Sequence, residues 1–274
     1  MPELPEVEVL RRSLTPRLVG RRVRGVTVRE ARLREPVDAT ALGRAAQGRR
    51  VQRLRRRAKY LWIDFTGGQT VAVHLGMSGR LTVVAEDLPP APHEHLALHL
   101  EGGERLRLVD PRRFGLVLPC PTAALGDDPH FASLGIEPLA GSLDGAFLRH
   151  AAASRRGPVK PFLMDSRVVV GIGNIYASEA LFAARIHPRR SVARIGRERW
   201  QRLSEAVQRV LARAIGEGGT TVNDFVDGEG NSGYFQVSLA VYDRQGLPCP
   251  RCGRVVRREL QGGRSTFFCP GCQR

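Results

Sequence analysis

The sequence lacks the features that would place it in a membrane or carry it out of the cell. Its 274 residues contain no run of about 18 uncharged apolar residues, the length that a membrane-spanning helix needs. The first residues lack the basic and then apolar layout of a secretory signal peptide. Internal repeats and low-complexity tracts are also missing. We therefore expect a soluble, cytoplasmic protein without a membrane partner.

Acidic residues and lysine are scarce beside arginine. The chain has 43 Lys and Arg residues against 27 Asp and Glu, a formal net charge of +16, and lysine occurs only at positions 59 and 160. Such an excess opposes folding through self-repulsion and is typical of proteins that bind a polyanion. Arginine also grips phosphate through two parallel hydrogen bonds. Composition thus favours a nucleic-acid partner, although a GC-rich genome would enrich arginine without any function.

Cysteine is nearly absent until the C-terminal tail. Four of the five cysteines form two CxxC pairs there: Cys249, Cys252, Cys269 and Cys272. Four thiolates at this spacing suit one structural zinc ion with closed tetrahedral coordination, and two disulfides are the alternative. Residues 253–268 alternate enough to form two strands joined by a turn at Gly262 and Gly263. Cys120, alone between prolines, is interpreted as a small, partly buried apolar side chain.

The spacing of apolar residues divides the chain into regions. Residues 5–18 have helical spacing, and Gly20 follows as a stop. Short β-rich runs over residues 22–117 predict an antiparallel sandwich or barrel. Four helical patterns come next, over residues 143–156, 160–170, 174–186 and 196–218. A glycine-rich stretch over 217–236 then predicts a loop before the cysteine module.

Two turns carry apolar side chains next to glycine. Met77 lies in HLGMSGR and Phe114 lies in DPRRFG. In proteins that bend DNA, such side chains act as wedges between base steps, with a neighbouring arginine filling the gap. Packing beneath a loop is the alternative for either residue alone. The presence of both in a basic chain favours the wedge.

Two other turns suit a phosphate. In VVVGIGNIY, Tyr176 stands where a dinucleotide-binding motif has its third glycine, and the surroundings are helical, so that motif is rejected. A glycine-rich turn at a helix start still offers bare N–H groups to an anion, and Asn174 adds a side-chain donor. Arg264 lies near the turn expected in the cysteine module, where it contacts phosphate or is simply solvated.

The N-terminus offers a nucleophile. If Met1 is removed, Pro2 becomes a secondary amine with a pKa of about 8, and a following helix N-terminus disfavours its protonated form. Glu3 is adjacent as a proton donor or acceptor. Lys59 is the rival amine for a Schiff base, or it lies near a phosphate. It lies in a dense basic run, residues 49–62, that we interpret as a solvated surface.

Together these motifs resemble the bacterial formamidopyrimidine-DNA glycosylase family. MPELPEVE, RRAKYL, HLGMSG, DPRRFG, KPFLMD, VVGIGNIYASE, the GGTT…GYF loop and the paired CxxC motifs occur in the family's order and span the whole chain. Leu4 separates the sequence from the related endonuclease VIII branch. That branch, with a preference for oxidised pyrimidines, is one alternative. A zinc-dependent DNA-binding protein without catalysis is another.

The resemblance implies a two-lobe α+β fold with the active site in the cleft between the lobes. An N-terminal β-sandwich with a packed N-terminal helix precedes a helix–two-turn–helix domain, which carries a CxxC…CxxC zinc finger. The expected boundaries are a sandwich domain over 1–132, a helix–two-turn–helix domain over 133–226, a loop end and linker over 227–244, and the finger over 245–274. One structural zinc ion is the only cofactor implied.

The resemblance also implies the activity. A monomer acts on damaged double-stranded DNA in the bacterial cytoplasm, associated with the nucleoid while it works. It excises 8-oxoguanine and formamidopyrimidines and cleaves the abasic site by β,δ-elimination through a Schiff base on Pro2. The nucleotide is flipped out of the duplex first, because C1′ is unreachable within the stack.

Family roles carry over to matching positions. Pro2 is the nucleophile, Glu3 the general acid and base, Lys59 the catalytic lysine and Arg264 the zinc-finger arginine on the flanking phosphates. Seven further residues are implied to bind DNA: Met77, His93, Arg112, Phe114, Lys160, Asn174 and Tyr176. Lys160 matches a lysine linked to 8-oxoguanine activity. The loop over 217–236 covers the extruded base, and Ser232 stands there where proline is commoner.

Overall fold

The computed structural model describes residues 2–219 and 239–274, which fall into two compact units. The first unit contains residues 2–132 and 218–219, and the second contains Ser133–Glu217 and 239–274. Most of the predicted loop over 217–236, including Ser232, lies outside the described residues. No helix among the described residues is both long and apolar enough to cross a membrane. The expected four-segment division of the chain stays a prediction.

The first unit is a β-sandwich with helices packed on it. Its elements, in chain order, are α1 Leu4–Leu18, β1 Val23–Val28, α2 Ala39–Ala46, β2 Val51–Arg57, β3 Tyr60–Phe65, β4 Gln69–His74, β5 Arg80–Ala85, β6 Glu94–Leu100, β7 Glu104–Val109, β8 Leu116–Pro121 and α3 Pro129–Ala132. The strands form two four-stranded antiparallel sheets, ordered β1-β6-β7-β5 and β2-β3-β4-β8. Apolar side chains of both sheets and of α1 form one core. The predicted antiparallel sandwich is confirmed.

Helix α1 forms where the apolar spacing predicts it. Its buried face consists of Val7, Leu10, Leu14 and Leu18, spaced by three or four residues. Pro5 lies in the first turn, where its missing N–H has no helical partner to lose. The predicted helix over 5–18 is confirmed, with its start one residue earlier.

The basic run over 49–62 is not merely a solvated surface, because it forms β2 and the start of β3. Arg53 and Arg55 both donate to the buried carboxylate of Asp64 on the neighbouring strand, at 2.7 and 2.6 Å. Arg55 also stacks over the ring of Trp62. Cross-strand pairing therefore turns a charged sequence into a strand, which a local pattern does not reveal.

The second unit is helical and ends in a two-stranded hairpin. Its elements are α4 Gly145–Ala151, α5 Val159–Leu163, α6 Asn174–Ala183, α7 Arg197–Gly216, β9 Arg257–Gln261 and β10 Arg264–Phe268. The hairpin turn falls at Gly262 and Gly263, as predicted. The helix expected over 160–170 ends at Leu163 instead. A turn follows, in which the N–H groups of Val168 and Val169 bond back to the Asp165 carbonyl, and Val169 makes a parallel bridge to Ile136.

A buried carboxylate on α6 fixes the chain that enters the hairpin module. Both oxygens of Glu179 accept main-chain N–H groups, Ala240 at 2.9 Å, Val241 at 2.9 Å and Tyr242 at 2.8 Å. Glu179 is almost fully buried. These bonds satisfy three main-chain donors with one side chain, so the start of the module is held to α6 independently of its metal ligands.

We expect Glu179→Gln to destabilise the second unit by about 2 kcal/mol, since an amide nitrogen would face the Ala240 N–H and leave it without an acceptor. Urea unfolding of the zinc-loaded protein measures the loss. Glu205→Gln, which removes an exposed carboxylate from α7, should change the unfolding free energy by less than about 0.5 kcal/mol. Equal effects of the two variants would contradict this role for Glu179.

Candidate functional site

The sequence-predicted nucleophile and its partner lie at the start of α1. Glu3 is the N-cap residue, and its N–H donates to the Glu6 carboxylate at 2.8 Å. The Glu3 side chain accepts in return from the Glu6 N–H, which completes a capping box. Pro2 and Glu3 are both buried. The Glu3 carboxylate is therefore held beside Pro2 at the positive end of the helix dipole.

A second carboxylate of α1 positions the turn that carries Lys59. Glu8 accepts from Arg11 at 2.8 Å and pairs with Arg56 of β2 at 3.4 Å. Burial raises the pKa of the Glu8 carboxyl, but these arginines outweigh burial and hold it below its usual value. Arg56 in turn donates to the Ala58 carbonyl at 3.0 Å. The β2–β3 turn, formed by Ala58 and Lys59, is thereby tied to α1.

His74 belongs to this region and was not singled out from the sequence. It ends β4 opposite Tyr60, and only 8% of it is exposed. Burial, together with the charges of Arg34 and Lys59, lowers its pKa to about 3. Its Nδ1 accepts the Gly76 N–H at 2.9 Å, so Nε2 carries the proton. The neutral Nε2–H donor of His74 therefore lies near the charges of Arg34 and Lys59. From the sequence alone, a histidine in an apolar strand is interpreted as part of the core.

The two turns with apolar residues pack against each other through their backbones. Gly76 has a φ of +63°, and a Cβ there would overlap the main-chain carbonyl of Phe114. Only glycine permits this approach. Met77 and Phe114 remain 37% and 42% exposed. They are thus presented side by side at the surface and are not part of the core.

The side chain of Asp110 joins the two turns that carry Met77 and Phe114. Its fully buried carboxylate accepts the Ser78 hydroxyl at 2.6 Å and the Gly115 N–H at 2.7 Å. Ser78 receives the Arg112 N–H at 3.3 Å. One carboxylate therefore connects the two turns, and sequence reasoning missed it because Ser78, its partner in the other turn, lies 32 residues away.

Arg112 and His93 complete the corner. The Arg112 guanidinium lies 5.1 Å from the centre of the Phe114 ring, over its face. His93 is exposed, and its main-chain carbonyl accepts the Asp110 N–H at 3.0 Å, which joins it to the two turns. Of the residues predicted to bind DNA, the structure brings Met77, His93, Arg112 and Phe114 together in the first unit. We call these four the corner cluster.

In the second unit, Lys160 is a buried junction. It is 2% exposed, and its ammonium donates to the Asn174 Oδ1 at 2.6 Å, the Thr266 hydroxyl at 2.7 Å and the Ser265 carbonyl at 3.2 Å. These three acceptors match its three N–H donors. Asn174 also donates to the Ser265 carbonyl at 2.9 Å. The junction joins α5, the start of α6 and the hairpin.

The hairpin brings Arg264 to the same place. Arg264 is exposed, and it lines a cavity of about 280 Å³ together with Lys160 and Met164. Asn174 is the first residue of α6, so the free N–H groups of that helix begin beside it. The Tyr176 side chain is buried within the unit. The structure thus gathers Lys160, Asn174 and Arg264, while Tyr176 lies inside.

The four cysteines of the tail form one metal site. Their Sγ atoms all lie within 4.8 Å of one another, with Cys249–Cys272 at 3.9 Å and Cys252–Cys269 at 3.5 Å. Zinc–sulfur bonds of about 2.3 Å in a tetrahedron require sulfur separations near 3.8 Å. The tetrad fits one structural zinc ion with no open position. Among the described residues no other cluster of His, Cys, Asp or Glu is arranged to hold a metal.

We expect acid to weaken the first unit through His74. Its folded pKa of about 3 lies below the 6.5 usual for histidine, so its contribution to stability is present at neutral pH and decreases as the unfolded chain takes up the proton. Between pH 6.5 and about 4.5 the wild type should lose about 2 kcal/mol more than His74→Gln. Chemical unfolding at several pH values measures this, with exposed His150→Gln behaving as wild type. Parallel pH curves for the wild type and His74→Gln would contradict the assignment.

We expect removal of zinc to unfold the tail and leave the sandwich folded, because the described core residues that pack with the tetrad all belong to the second unit. Hydrogen exchange after chelation should show lost protection in β9 and β10 and unchanged protection in β3 and β4. The junction around Lys160 should loosen as well, since two of its acceptors lie in β10. Loss of protection throughout the chain would overturn this independence.

Comparison with known proteins agrees with this arrangement. The formamidopyrimidine-DNA glycosylase N-terminal domain matches residues 1–117, the formamidopyrimidine-DNA glycosylase H2TH domain matches 134–226, and a zinc finger found in FPG and IleRS matches 246–274. Proteins named formamidopyrimidine-DNA glycosylase from Methylococcus capsulatus and Stenotrophomonas maltophilia are 51% and 49% identical to the chain, with 100% of each chain covered.

Solved structures give the same result. MutM (Fpg) from Thermus thermophilus superposes with a TM-score of 0.88 at 41% identity, over 99% of this chain and 98% of that one. The Lactococcus lactis Fpg, in a complex with abasic-site DNA, superposes with a TM-score of 0.92 at 30% identity, over 99% of both chains. Because full-length relatives and all three domain models agree, the chain belongs to the formamidopyrimidine-DNA glycosylase family.

Proposed function

We propose that this chain is a base-excision-repair DNA glycosylase that removes 8-oxoguanine and formamidopyrimidines from duplex DNA. We further propose that it cleaves the resulting abasic site by β,δ-elimination. The observation that carries the proposal is the capping box at the start of α1, which holds the Glu3 carboxylate next to Pro2. Family membership supports it, as does the name of a Lactococcus lactis Fpg complex with DNA containing Fapy-dG.

Pro2 is the proposed nucleophile once Met1, which lies outside the described residues, has been removed. Its nitrogen loses its proton and bonds to C1′ while the bond from C1′ to the base breaks, and the base leaves with the electron pair and takes up a proton. The C1′–O4′ bond then breaks, O4′ keeps that electron pair and takes up a proton, and the nitrogen lone pair forms the iminium, the Schiff base from which elimination proceeds. The helix dipole at Pro2 favours the neutral, reactive form of the amine.

Glu3 moves the proton in this scheme. Its carboxylate accepts the capping bond from the Glu6 N–H and lies beside Pro2 in the chain. A carboxylate at this position can take a proton from the reacting groups and return it. Glu6 therefore orients Glu3 without itself reacting, which divides the work between the two carboxylates.

The corner cluster is the proposed wedge. Flipping a nucleotide out of a duplex costs a few kcal/mol of stacking and pairing. The exposed side chains of Met77 and Phe114 would fill the space that the flipped nucleotide leaves. Arg112, whose guanidinium lies over the Phe114 ring, would enter the same space. The Asp110 bonds keep both turns rigid, so the space is filled without further loss of conformational freedom.

Phosphate contacts are assigned to cations in each unit. Lys59, with His74 beside it, is the proposed contact in the first unit. Asn174 and Arg264 are the proposed contacts in the second, where Lys160 holds Asn174 and the hairpin in place. We propose that the protein acts as a monomer on one damaged duplex. The DNA backbone is then the polyanion that the net positive charge of the chain binds.

Borohydride trapping tests the nucleophile. A duplex with 8-oxoguanine opposite cytosine should yield a covalent adduct with the wild type, because reduction captures the iminium. A chain with an uncleaved N-terminal extension keeps every side chain but has no free amine at Pro2, and it should yield none. Lys59→Ala is the matched control, and it should still yield an adduct. An adduct that survives the extension and disappears in Lys59→Ala would make Lys59 the nucleophile.

The same trapping experiment separates the alternatives. A duplex with thymine glycol should be trapped more slowly than the 8-oxoguanine duplex. Faster trapping on thymine glycol would favour an enzyme like endonuclease VIII. Binding to both duplexes with no adduct on either would favour a DNA-binding protein without catalysis.

A further inference from the structure

The second unit contains an arginine-lined pocket that the proposed excision does not use. Its volume is about 580 Å³, and it is lined by side chains from the end of α6, from α7, from the first CxxC turn and from the last residues of the chain. Five of its eight lining residues are arginines: Arg185, Arg199, Arg202, Arg251 and Arg274. We call this feature the arginine pocket.

The arginine pocket is separate from the phosphate contacts proposed above. Asn174 begins α6, whereas Arg185 follows the end of that helix at Ala183. Ten residues of helix at about 1.5 Å each place the two ends roughly 15 Å apart. The cavity beside Lys160 and Arg264 shares no lining residue with the arginine pocket. The two therefore lie at opposite ends of α6.

The charge of the arginine pocket is not balanced by the side chains of Asp or Glu. Among the described residues, none of its five arginines has an Asp or Glu oxygen within 4.0 Å, although elsewhere in the same unit Arg155 and Arg167 share Asp165. A zinc ion with four thiolates carries a formal charge of about −2. Five guanidinium groups exceed that charge, so the arginine pocket keeps a net positive charge that repels itself.

The arginine pocket is also held in shape. Arg251 lies 4.8 Å over the Phe182 ring and donates to the Phe182 carbonyl at 3.4 Å. The Arg274 carbonyl accepts from Arg199 at 3.5 Å, and its N–H donates to the Arg185 carbonyl at 3.4 Å. Arg185 has a φ of +60°, a left-handed backbone conformation that non-glycine residues rarely adopt. These contacts hold the segments that carry the arginines in place.

The lining identifies the chemistry of the ligand. Besides the arginines, the arginine pocket is lined only by Cys252, Gly271 and Cys272, with no aliphatic or aromatic side chain and no Asp or Glu. Nothing there would hold the apolar side chains of a peptide. Guanidinium groups bind phosphate bidentately, and a row of phosphates satisfies several of them at once.

We propose that the arginine pocket binds the phosphodiester backbone of a second DNA segment while the lesion site holds the first. This inference rests on the proposed function, since it requires a protein that acts on DNA. Two sites at opposite ends of α6 allow the protein to pass directly from one duplex to another through a bridged complex, without first dissociating.

Dissociation from a labelled undamaged duplex tests this inference. With the wild type, the dissociation rate should rise in proportion to the concentration of unlabelled duplex, because a second segment can bind before the first leaves. In Arg185→Ala/Arg202→Ala that dependence should be lost. Both arginines are exposed.

The matched control removes the same charge from outside the pocket. Arg209→Ala/Arg213→Ala takes two exposed arginines from α7 that are paired with Glu205 and Glu217, and it should behave as the wild type. A wild type whose dissociation is independent of competitor would overturn the inference, as would a pocket variant that keeps the dependence. Polyglutamate that accelerates dissociation as strongly as DNA would overturn the phosphate assignment.

A further measurement separates this inference from the proposed function. Single-turnover excision of 8-oxoguanine from a short duplex should be the same in the wild type and the pocket variant. A protein that transfers between duplexes but excises nothing would overturn the proposed function and leave the arginine pocket standing.

Discussion

The buried ammonium of Lys160 is the interaction on which the second unit's functional surface depends. Desolvating a charge is expensive unless each donor finds an acceptor, and here three acceptors come from Asn174, Ser265 and Thr266. Two of these lie in β10, whose position depends on the cysteine tetrad. The start of α6 and the arginine of the hairpin are therefore placed together by one cation that is itself withdrawn from solvent.

In the first unit, a few carboxylates hold the functional residues in position. Glu6 orients Glu3, Glu8 fixes the Lys59 turn through Arg56, and Asp110 joins the two turns of the corner cluster. Each of these carboxylates accepts from donors elsewhere in the unit, so this strongly basic chain uses its acidic residues to hold segments together. Arginines without an Asp or Glu partner, as in the arginine pocket, are the ones available to a polyanion.

Much of the fold was predictable because it follows from local patterns. Helix α1, the clearest strands and the hairpin at Gly262 and Gly263 appear where periodicity and turn residues place them. Strand β2 was read as a solvated surface, since its pairing with Asp64 is invisible locally. His74 and Asp110 were overlooked for the same reason. Their partners, or the charges that perturb them, lie many residues away.

The sequence by itself determined the N-terminal Pro2 and Glu3 at a helix start, the four zinc ligands and the apolar residues on two turns. These features depend on residue type and short spacing, which folding does not change. Only the tertiary structure decided that Lys160 is buried while Met77 and Phe114 are exposed side by side. It alone gathered five arginines from distant parts of the chain into one pocket. Burial and long-range charge depend on which segments meet in space, and a linear pattern does not contain that information.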